Sequence, residues 1–200
     1  MTPVVVPAYA PPVSYFSWLL QQEKIVWVKD SHYKKQTYRN RAYIYGANGR
    51  LTLTVPILHS QSKCHQKENE VLTDLYTDWQ QLHWKSLQSA YRSSPFFEFY
   101  EDYLAPYYHQ NCTTLYDFNL SLIREIFDLI EVDIEQEEVA LDMTTQIHTE
   151  NLLHAKGQIP VFTPYTQVFE NKYGFLSNLS ILDLLFNLGP ESRNYLKEFV

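Results

Sequence analysis

The stretch that decides the N-terminal part of the fold is "RAYIYGANGRLTLTVPI", residues 41–57. Two β-prone runs flank the short turn "GANG", and glycine and asparagine favour the left-handed backbone of tight hairpin turns. In the second run, threonines alternate with aliphatic residues from Leu51 to Val55, as expected when one face of a strand is buried. The pattern therefore predicts a β-hairpin over residues 41–57.

Two strands and a helix are predicted before the hairpin. The β-branched run "PVVVPAY" predicts a first strand that ends at Pro7, and "KIVWVK" (24–29) predicts a second strand. Between them, residues 13–23 carry apolar side chains at helical spacing, directly after two prolines of the kind tolerated at a helix start. The N-terminal part is therefore expected to be built mainly from strands.

Helices are predicted for most of the remaining chain. Residues 58–70 are polar and aperiodic, which indicates a surface loop, and helical periodicity then covers 78–91, 94–108 and 113–130. The alternation around Val132–Ile134 indicates a short strand. The resulting prediction is an α/β fold, a single domain over residues 1–200 with N-terminal strands and a β-hairpin followed by a mostly helical C-terminal part.

The C-terminal end carries residues that typically begin and end helices. Asn178 or Ser180 is expected to cap a helix that Gly189 ends in left-handed geometry, and Pro190 is expected to open the last helix. Asp183 lies in the apolar run between these positions. It is expected either to have a raised pKa or to pair with an arginine that locks the helix.

Composition limits the classes of protein that the chain could represent. The 200 residues have a net charge of -7 and include 16 tyrosines, 11 phenylalanines and 4 tryptophans. Tyrosine joins an apolar ring to a polar hydroxyl, so it is well suited to partly solvated clefts and to interfaces. No signal-peptide pattern precedes residue 15, and no apolar run approaches the ~20 residues of a membrane span. We therefore expect a cytoplasmic protein with no membrane span.

Motifs for cofactors and metals are missing from the sequence. Cys64 and Cys112 lack the CxxC spacing of zinc or redox sites, although Cys64–His65 could form half of a metal site. The five glycines form no G-x-G-x-x-G, P-loop or G-x-S-x-G motif. We therefore predict no cofactor and no metal.

A cationic segment is the main candidate for a binding site. Six of the 16 basic residues lie between Lys29 and Arg50, where only Asp30 opposes them. If residues 34–41 are extended, Lys35, Arg39 and Arg41 point to one face. The planar guanidinium of arginine can donate two hydrogen bonds to a carboxylate or phosphate, and lysine adds a positive charge.

Neighbouring side chains support the same interpretation. Asn40 can add directional hydrogen bonds, and Tyr33 and Tyr38 can stack on a sugar or base. The alternative is a solvated edge whose charges discourage aggregation. A nucleic-acid site is disfavoured by the sequence pI of about 5.5. The segment therefore predicts a site for one small anionic ligand.

His83 is the leading acid–base candidate in the helical part. It lies in the apolar stripe of the helix predicted over residues 78–91, where a histidine is more often a satisfied core residue. Its near-neutral pKa nevertheless suits proton transfer.

The chain resembles the WbqC-like family of bacterial proteins. The resemblance rests on matched spacings over residues 15–57, and it continues in residues 78–100 and in the closing "FLSNLSILDLLFNLGPES". The matched positions are Tyr15–Phe16, "IVWV", Asp30 with His32–Tyr33, Asn40–Arg41, Asn48–Gly49 and Thr54–Val55–Pro56.

The resemblance implies a link to O-antigen and other surface-polysaccharide gene clusters, with a suggested glycine-transfer role. Many members begin His-Gln-Pro, whereas this chain has Val5, Val6 and Pro7 at the corresponding positions. Either His32 or His83 replaces the missing histidine, or the protein binds a ligand without catalysis.

Two functions are therefore predicted. The first is an aminoacyl, glycyl or acyl transferase that modifies a sugar precursor in surface-polysaccharide synthesis, with Asp30 or His83 for proton transfer. Lys35, Arg39 and Arg41 would hold the anionic group of a sugar nucleotide or an activated donor. The alternative is a non-catalytic ligand-binding or assembly protein of the same pathway.

Overall fold

The structure is a computed structural model that describes residues 2–58, 66–110, 112, 114–140, 147–155 and 159–198. Strands and helices are mixed in the first part of the chain and helices predominate later, which confirms the α/β prediction. In chain order the elements are β1 (Val4–Val5), α1 (Val13–Leu19), β2 (Lys24–Val28), β3 (Arg41–Gly46), β4 (Gly49–Thr54), α2 (Trp79–Tyr91), α3 (Phe97–His109), α4 (Leu115–Leu129), β5 (Glu135–Val139), α5 (Glu170–Tyr173), α6 (Ile181–Leu188) and α7 (Ser192–Lys197), with short 3-10 helices at Glu68–Glu70, Glu150–Leu153 and Gly189–Glu191.

β2 is the central strand of a three-stranded parallel sheet. β1 pairs with one side of it and β5 with the other, and Lys24 of β2 lies opposite Glu135 of β5. Parallel neighbours need a crossover connection. α1 lies in the first crossover, and the second contains the hairpin and the helices α2 to α4.

β5 begins three residues later than the strand predicted around Val132–Ile134, and that position was wrong. Its sequence, "EQEEV", is almost entirely polar. Its glutamates form ion pairs with Lys24, Lys29 and Arg124. Charged side chains are common on edge strands. The position of β5 is therefore determined by its pairing with β2, because its own composition does not indicate a strand.

The hairpin prediction is confirmed. β3 and β4 pair antiparallel with Gly46 opposite Gly49, which has a φ of 95° that favours glycine. Ile44 and Leu53 are buried on the inner face. The hairpin therefore presents its other face, which begins at Arg41, outward.

The helical part packs around one cluster of buried apolar side chains that extends from Val5 to Leu196. The predicted capping of α6 is confirmed, because the Ser180 side chain accepts a hydrogen bond from the backbone N–H of Leu182. Gly189 ends α6 with a φ of 56°, as predicted.

The predicted surface loop over residues 58–70 is only partly a loop. Residues 59–65, including Cys64–His65, lie outside the described residues. Residues 68–70 form a 3-10 helix, and the Glu68 side chain points into the interior with 3% of the residue exposed. The helix therefore brings a carboxylate under the cationic segment.

Candidate functional site

The cationic segment is not extended, contrary to the prediction. Gln36 adopts a left-handed backbone with a φ of 61°, which turns the chain and breaks the alternation of side chains. The Tyr33 N–H donates to the Gln66 carbonyl, and the Tyr38 N–H donates to the Leu153 carbonyl, each at 2.9 Å. The segment is therefore held between two other stretches of chain, and its cations have separate surroundings.

Arg39 is fully buried, so its predicted place on the wall of a cleft is wrong. Its Nε donates to a carboxylate oxygen of Glu68, and its Nη2 lies 3.1 Å from an oxygen of Glu150. Lys34 binds the same Glu150 carboxylate at 2.9 Å. Burial raises the pKa of Glu68, and the charge of Arg39 opposes that shift. These four side chains form the interior ion cluster.

Asn40 also has a structural position. It is buried, its Nδ2 donates to the Val55 carbonyl at 3.0 Å, and its own carbonyl accepts from the Val55 N–H at 2.8 Å. These bonds hold the base of the hairpin.

Lys35 is exposed and has no ion pair among the described residues.

Arg41 is the predicted arginine that remains available, in addition to the exposed Lys35. It is half-buried at the start of β3, and its Nε is buried without a hydrogen-bond partner among the described residues. No carboxylate in the described part of the chain pairs with it. A buried donor without a partner is uncommon in folded proteins, so Arg41 is a credible ligand contact.

Arg41 belongs to a patch on the outer face of the hairpin, which we name the arginine–tyrosine face: Tyr38, Arg41, Tyr43 and Arg50. The Arg50 guanidinium lies 4.7 Å from the centre of the Tyr43 ring. The Tyr38 and Tyr43 rings meet edge to face with their centres 5.7 Å apart. The patch therefore joins two guanidinium groups to two aromatic rings.

The pKa of Tyr38 responds to both arginines of this face. Burial raises this pKa to about 12, Tyr43 adds to the increase, and Arg50 and Arg41 both lower it. Burial and Glu68 raise the pKa of Tyr33, whereas Arg39 and Arg41 lower it. The charge of Arg41 therefore acts on both predicted tyrosines.

The two predicted acid–base residues, Asp30 and His83, have different hydrogen-bond partners. Asp30 accepts from Lys67 at 3.2 Å and from Asn69 at 3.4 Å. The described residues show no hydrogen bond or ion pair that joins Asp30 to His83. They do not form a shared acid–base pair, and their catalytic role stays a prediction.

His83 is buried with 4% of the residue exposed. Its Nδ1 lies 2.8 Å from the Tyr9 hydroxyl, and its ring packs against Trp79. Burial lowers the pKa of His83 to about 4, while a hydrogen bond with the Thr54 backbone opposes the shift. The imidazole is therefore neutral at pH 7.

His83 also reaches the edge of a cavity. The cavity has a volume of about 490 Å³ and is lined in part by Thr54, Asp78 and Lys85. Thr54 lies opposite Arg41 in the hairpin register. Thr54 of β4 therefore lines the His83 cavity and is also the strand partner of Arg41 in the arginine–tyrosine face.

Asp183 follows the first of the two predicted possibilities and not the second. It is fully buried, and burial raises its pKa, as the first possibility stated. The second was wrong, because its partners are the Tyr91 hydroxyl at 2.7 Å, the Tyr165 hydroxyl at 2.5 Å and the Gln167 amide at 2.9 Å. Neutral donors therefore take the place of an arginine.

Two buried or half-buried acids were missed by the sequence reasoning. Glu68 stands in the polar run "HQKENE" and Glu150 in "HTEN". Neither run has periodicity that distinguishes a buried carboxylate from an exposed one. The excess of cations in residues 34–41 was the indirect signal, since buried cations need partners.

The described residues contain no group of three histidine, cysteine or acidic side chains that could hold a metal ion. Cys112 is a half-buried free thiol. Across the described part of the chain, no helix has both the length and the apolar character needed to cross a bilayer.

The fold and these sites define a mixed α/β protein of a recognised family. The chain belongs to the WbqC-like protein family, whose sequence model matches residues 7–160. It is similar to a protein of Mycobacterium tuberculosis (strain ATCC 25618 / H37Rv) described as "Uncharacterized protein Rv1507c", with 28% identity over 222 residues and 94% of each chain covered. No solved structure matches the chain.

The two valines where the resemblance led us to look for His-Gln lie in the core. Val5 and Val6 are fully buried, and the Val6 carbonyl accepts a hydrogen bond from the Tyr15 hydroxyl at 2.6 Å. Apolar side chains fill these two positions, so neither can supply a proton-transfer group.

Proposed function

We propose that the protein binds the anionic group of a small activated donor on the arginine–tyrosine face. The donor is a sugar nucleotide or an acyl or aminoacyl compound, and the protein acts as a ligand-binding or assembly component of surface-polysaccharide synthesis. One observation carries this proposal: the buried Nε of Arg41 has no partner among the described residues. The proposal places the protein in the cytoplasm, where such donors would be encountered.

The surroundings of Arg41 suit an anion. Its guanidinium and that of Arg50 can each offer paired N–H donors to phosphate or carboxylate. The half-buried Tyr43 can offer its ring to a base or a sugar, and the buried Tyr38 supports that ring edge to face. Arg39 belongs to the interior ion cluster and is left out of this role. Arg41 keeps it, Arg50 is added from the structure, and the exposed Lys35 of the predicted trio stays a prediction.

A transferase is the second candidate, and His83 favours it. Its imidazole is neutral at pH 7 and lies at a cavity edge, although a pKa lowered to about 4 makes it a weak base there. However, His83 is already bonded to Tyr9 and to the Thr54 backbone, Asp30 is paired with Lys67, and the buried Val5 and Val6 offer no titratable group. We therefore rank aminoacyl, glycyl or acyl transfer second to binding.

Isothermal titration calorimetry with UDP-N-acetylglucosamine and with acetyl-coenzyme A tests the binding role. A hydrogen bond to a charged group contributes about 1.5–3 kcal/mol, so Arg41→Ala should raise Kd about tenfold to a hundredfold. Arg41→Lys should recover only part of the affinity, because lysine keeps the charge but lacks the planar fork.

The matched control is Arg92→Ala, which removes an exposed arginine at the end of α2 and should leave Kd unchanged. Equal affinity of Arg41→Ala and the wild type would refute the site. Mass spectrometry of the same mixtures, with an amino-sugar acceptor added, separates the two candidates. A product that forms with the wild type and disappears with His83→Gln would favour the transferase.

A further inference from the structure

α3 and α4 form a groove on the surface that does not include the arginine–tyrosine face. Two adjacent cavities of about 530 and 770 Å³ lie along it, and both are lined by Tyr103 of α3 and Glu125 of α4. Because the cavities share these two residues, they adjoin each other in the groove between α3 and α4. We name it the α3–α4 groove.

The wall formed by α3 is aromatic. Phe99, Tyr103 and Tyr107 recur every four residues and therefore lie along one face of the helix. Phe99 is 70% exposed and Tyr103 is 57% exposed, which is unusual for such large rings. At 1.5 Å per residue, the stripe from Phe99 to Tyr107 extends over about 12 Å. Phe99 and Tyr103 therefore form an exposed aromatic strip, and Tyr107 at its end donates from its hydroxyl to Glu125 across the groove.

The opposite wall is acidic. Ser121, Glu125 and Asp128 recur at helical spacing along α4, and Asp102, Glu131 and Glu191 add carboxylates at the margins. None of these carboxylates forms an ion pair among the described residues. Arg193 is the only basic residue in the described lining of the two cavities. The groove therefore has a strong negative bias.

We propose that the α3–α4 groove binds a basic amphipathic helix of a partner protein. Leucine-like side chains of such a helix would cover Phe99 and Tyr103, and its lysines or arginines would pair with Glu125 and Asp128. Helices commonly bind in this way, with apolar anchors at i, i+3, i+4 and i+7 in a groove.

A helix fits better than an extended peptide. An extended peptide obtains its main-chain hydrogen bonds from a free sheet edge. Both walls of this groove are helices, whose backbone groups are already bonded internally. A helical partner satisfies its own backbone and offers only side chains, which is the kind of surface that these walls complement.

Fluorescence anisotropy with a labelled synthetic peptide tests the proposal. The probe is an amphipathic helix of about 15 residues, or four turns, with leucines at i, i+3, i+4 and i+7 and lysines elsewhere. Tyr103→Ala should raise its Kd at least about tenfold, as truncation of a central aromatic contact does. The double variant Glu125→Gln with Asp128→Asn should weaken binding to a similar degree and reduce its salt dependence.

Matched controls lie outside the groove. Tyr76→Ala removes a tyrosine that is 94% exposed, and Glu98→Gln neutralises an exposed carboxylate of α3 that does not line the cavities. Both should bind the peptide like the wild type. Circular dichroism verifies that every variant is folded, because Glu125 also accepts a hydrogen bond from Tyr107.

Three outcomes would overturn the proposal. The first is unchanged binding to the Tyr103→Ala variant, and the second is equal affinity for a scrambled peptide of the same composition. The third is tighter binding of a glucosamine tetramer with the same dependence on Tyr103, which would make the groove a saccharide site. Each outcome leaves the arginine–tyrosine proposal unaffected, because the two sites share no residue.

Discussion

Arg39 lies in the interior with its Nε bonded to the carboxylate of Glu68, 29 residues further along the chain. The pair connects the segment before β3 to the 3-10 helix Glu68–Glu70, and Glu150 extends it to a third stretch. A cation in the interior needs anionic partners. The most basic part of an acidic protein therefore contains a structural cross-link as well as a candidate site.

The first prediction concerns Arg39→Ala. Removal of one member of a buried ion pair leaves an uncompensated charge and lowers the free energy of unfolding by about 3–5 kcal/mol. Urea denaturation at pH 7 measures the loss. Lys35→Ala, which removes an exposed lysine of the same segment, should change stability by less than about 0.5 kcal/mol. The double variant Arg39→Ala with Glu68→Gln should recover part of the loss, and a single-variant loss below about 1 kcal/mol would contradict the interior assignment.

The second prediction is a pH dependence caused by His83. Its pKa is about 4 in the folded protein against 6.5 when unperturbed. The unfolded state therefore binds more protons between these values, so the stabilising contribution is complete above pH 6.5 and disappears as the pH falls towards 4. The shift corresponds to about 3 kcal/mol over that window.

The His83 effect is isolated by comparison with His83→Gln, which retains hydrogen-bonding groups and does not titrate. Denaturation of both proteins at pH 7.5, 6 and 5 gives the difference in slope, and all other titrating groups are common to both. We expect the wild type to lose more stability than the variant on acidification. Parallel curves would show that His83 is protonated equally easily in both states.

The third prediction concerns the neutral donors around Asp183. Tyr165→Phe removes the hydroxyl that lies 2.5 Å from this buried carboxylate. A hydrogen bond to a charged group contributes about 1.5–3 kcal/mol, and we expect a loss of that size. Tyr76→Phe removes a hydroxyl from an exposed ring and provides the reference. If both variants unfold at the same urea concentration, the Tyr165 bond has no net stabilising effect.

The fourth prediction concerns the end of α6. A Cβ at residue 189 would lie 2.5–2.6 Å from ring atoms of Phe96, and the φ of 56° is unfavourable for side chains other than glycine. Gly189→Ala should therefore be strongly destabilising, by more than the ~1 kcal/mol that the backbone conformation alone accounts for. In a Phe96→Ala background, the same change should cost about 1 kcal/mol, because the clash is removed. Equal losses in the two backgrounds would exclude the steric explanation.

Local patterns predicted most of the fold. The "GANG" turn, the Ser180 cap and Gly189 each specify a backbone conformation by themselves, and the structure confirms all three. β5 was misplaced because its pairing with β2, rather than its own composition, determines its position. A glutamate-rich edge strand has little intrinsic β propensity, so its assignment requires knowledge of the neighbouring strand.

The candidate site was less predictable, for a different physical reason. The sequence identified an excess of cations but could not show which of them would be neutralised in three dimensions. Arg39 and Arg41 are two residues apart, yet only Arg39 meets carboxylates from distant segments. One left-handed residue, Gln36, was enough to invalidate the assumed alternation of faces.

The parallel pairing of β2 with β5 also constrains how the protein is synthesised. Lys24 and Glu135, which face each other in the sheet, are separated by 111 positions. At about 5–20 residues per second, a ribosome needs roughly 5–20 s to progress from one to the other. During that interval the β5 side of β2 remains an open strand edge on the nascent chain, a recognised starting point for aggregation. The central strand of the sheet therefore waits longest for its second neighbour, β5, as the chain is made.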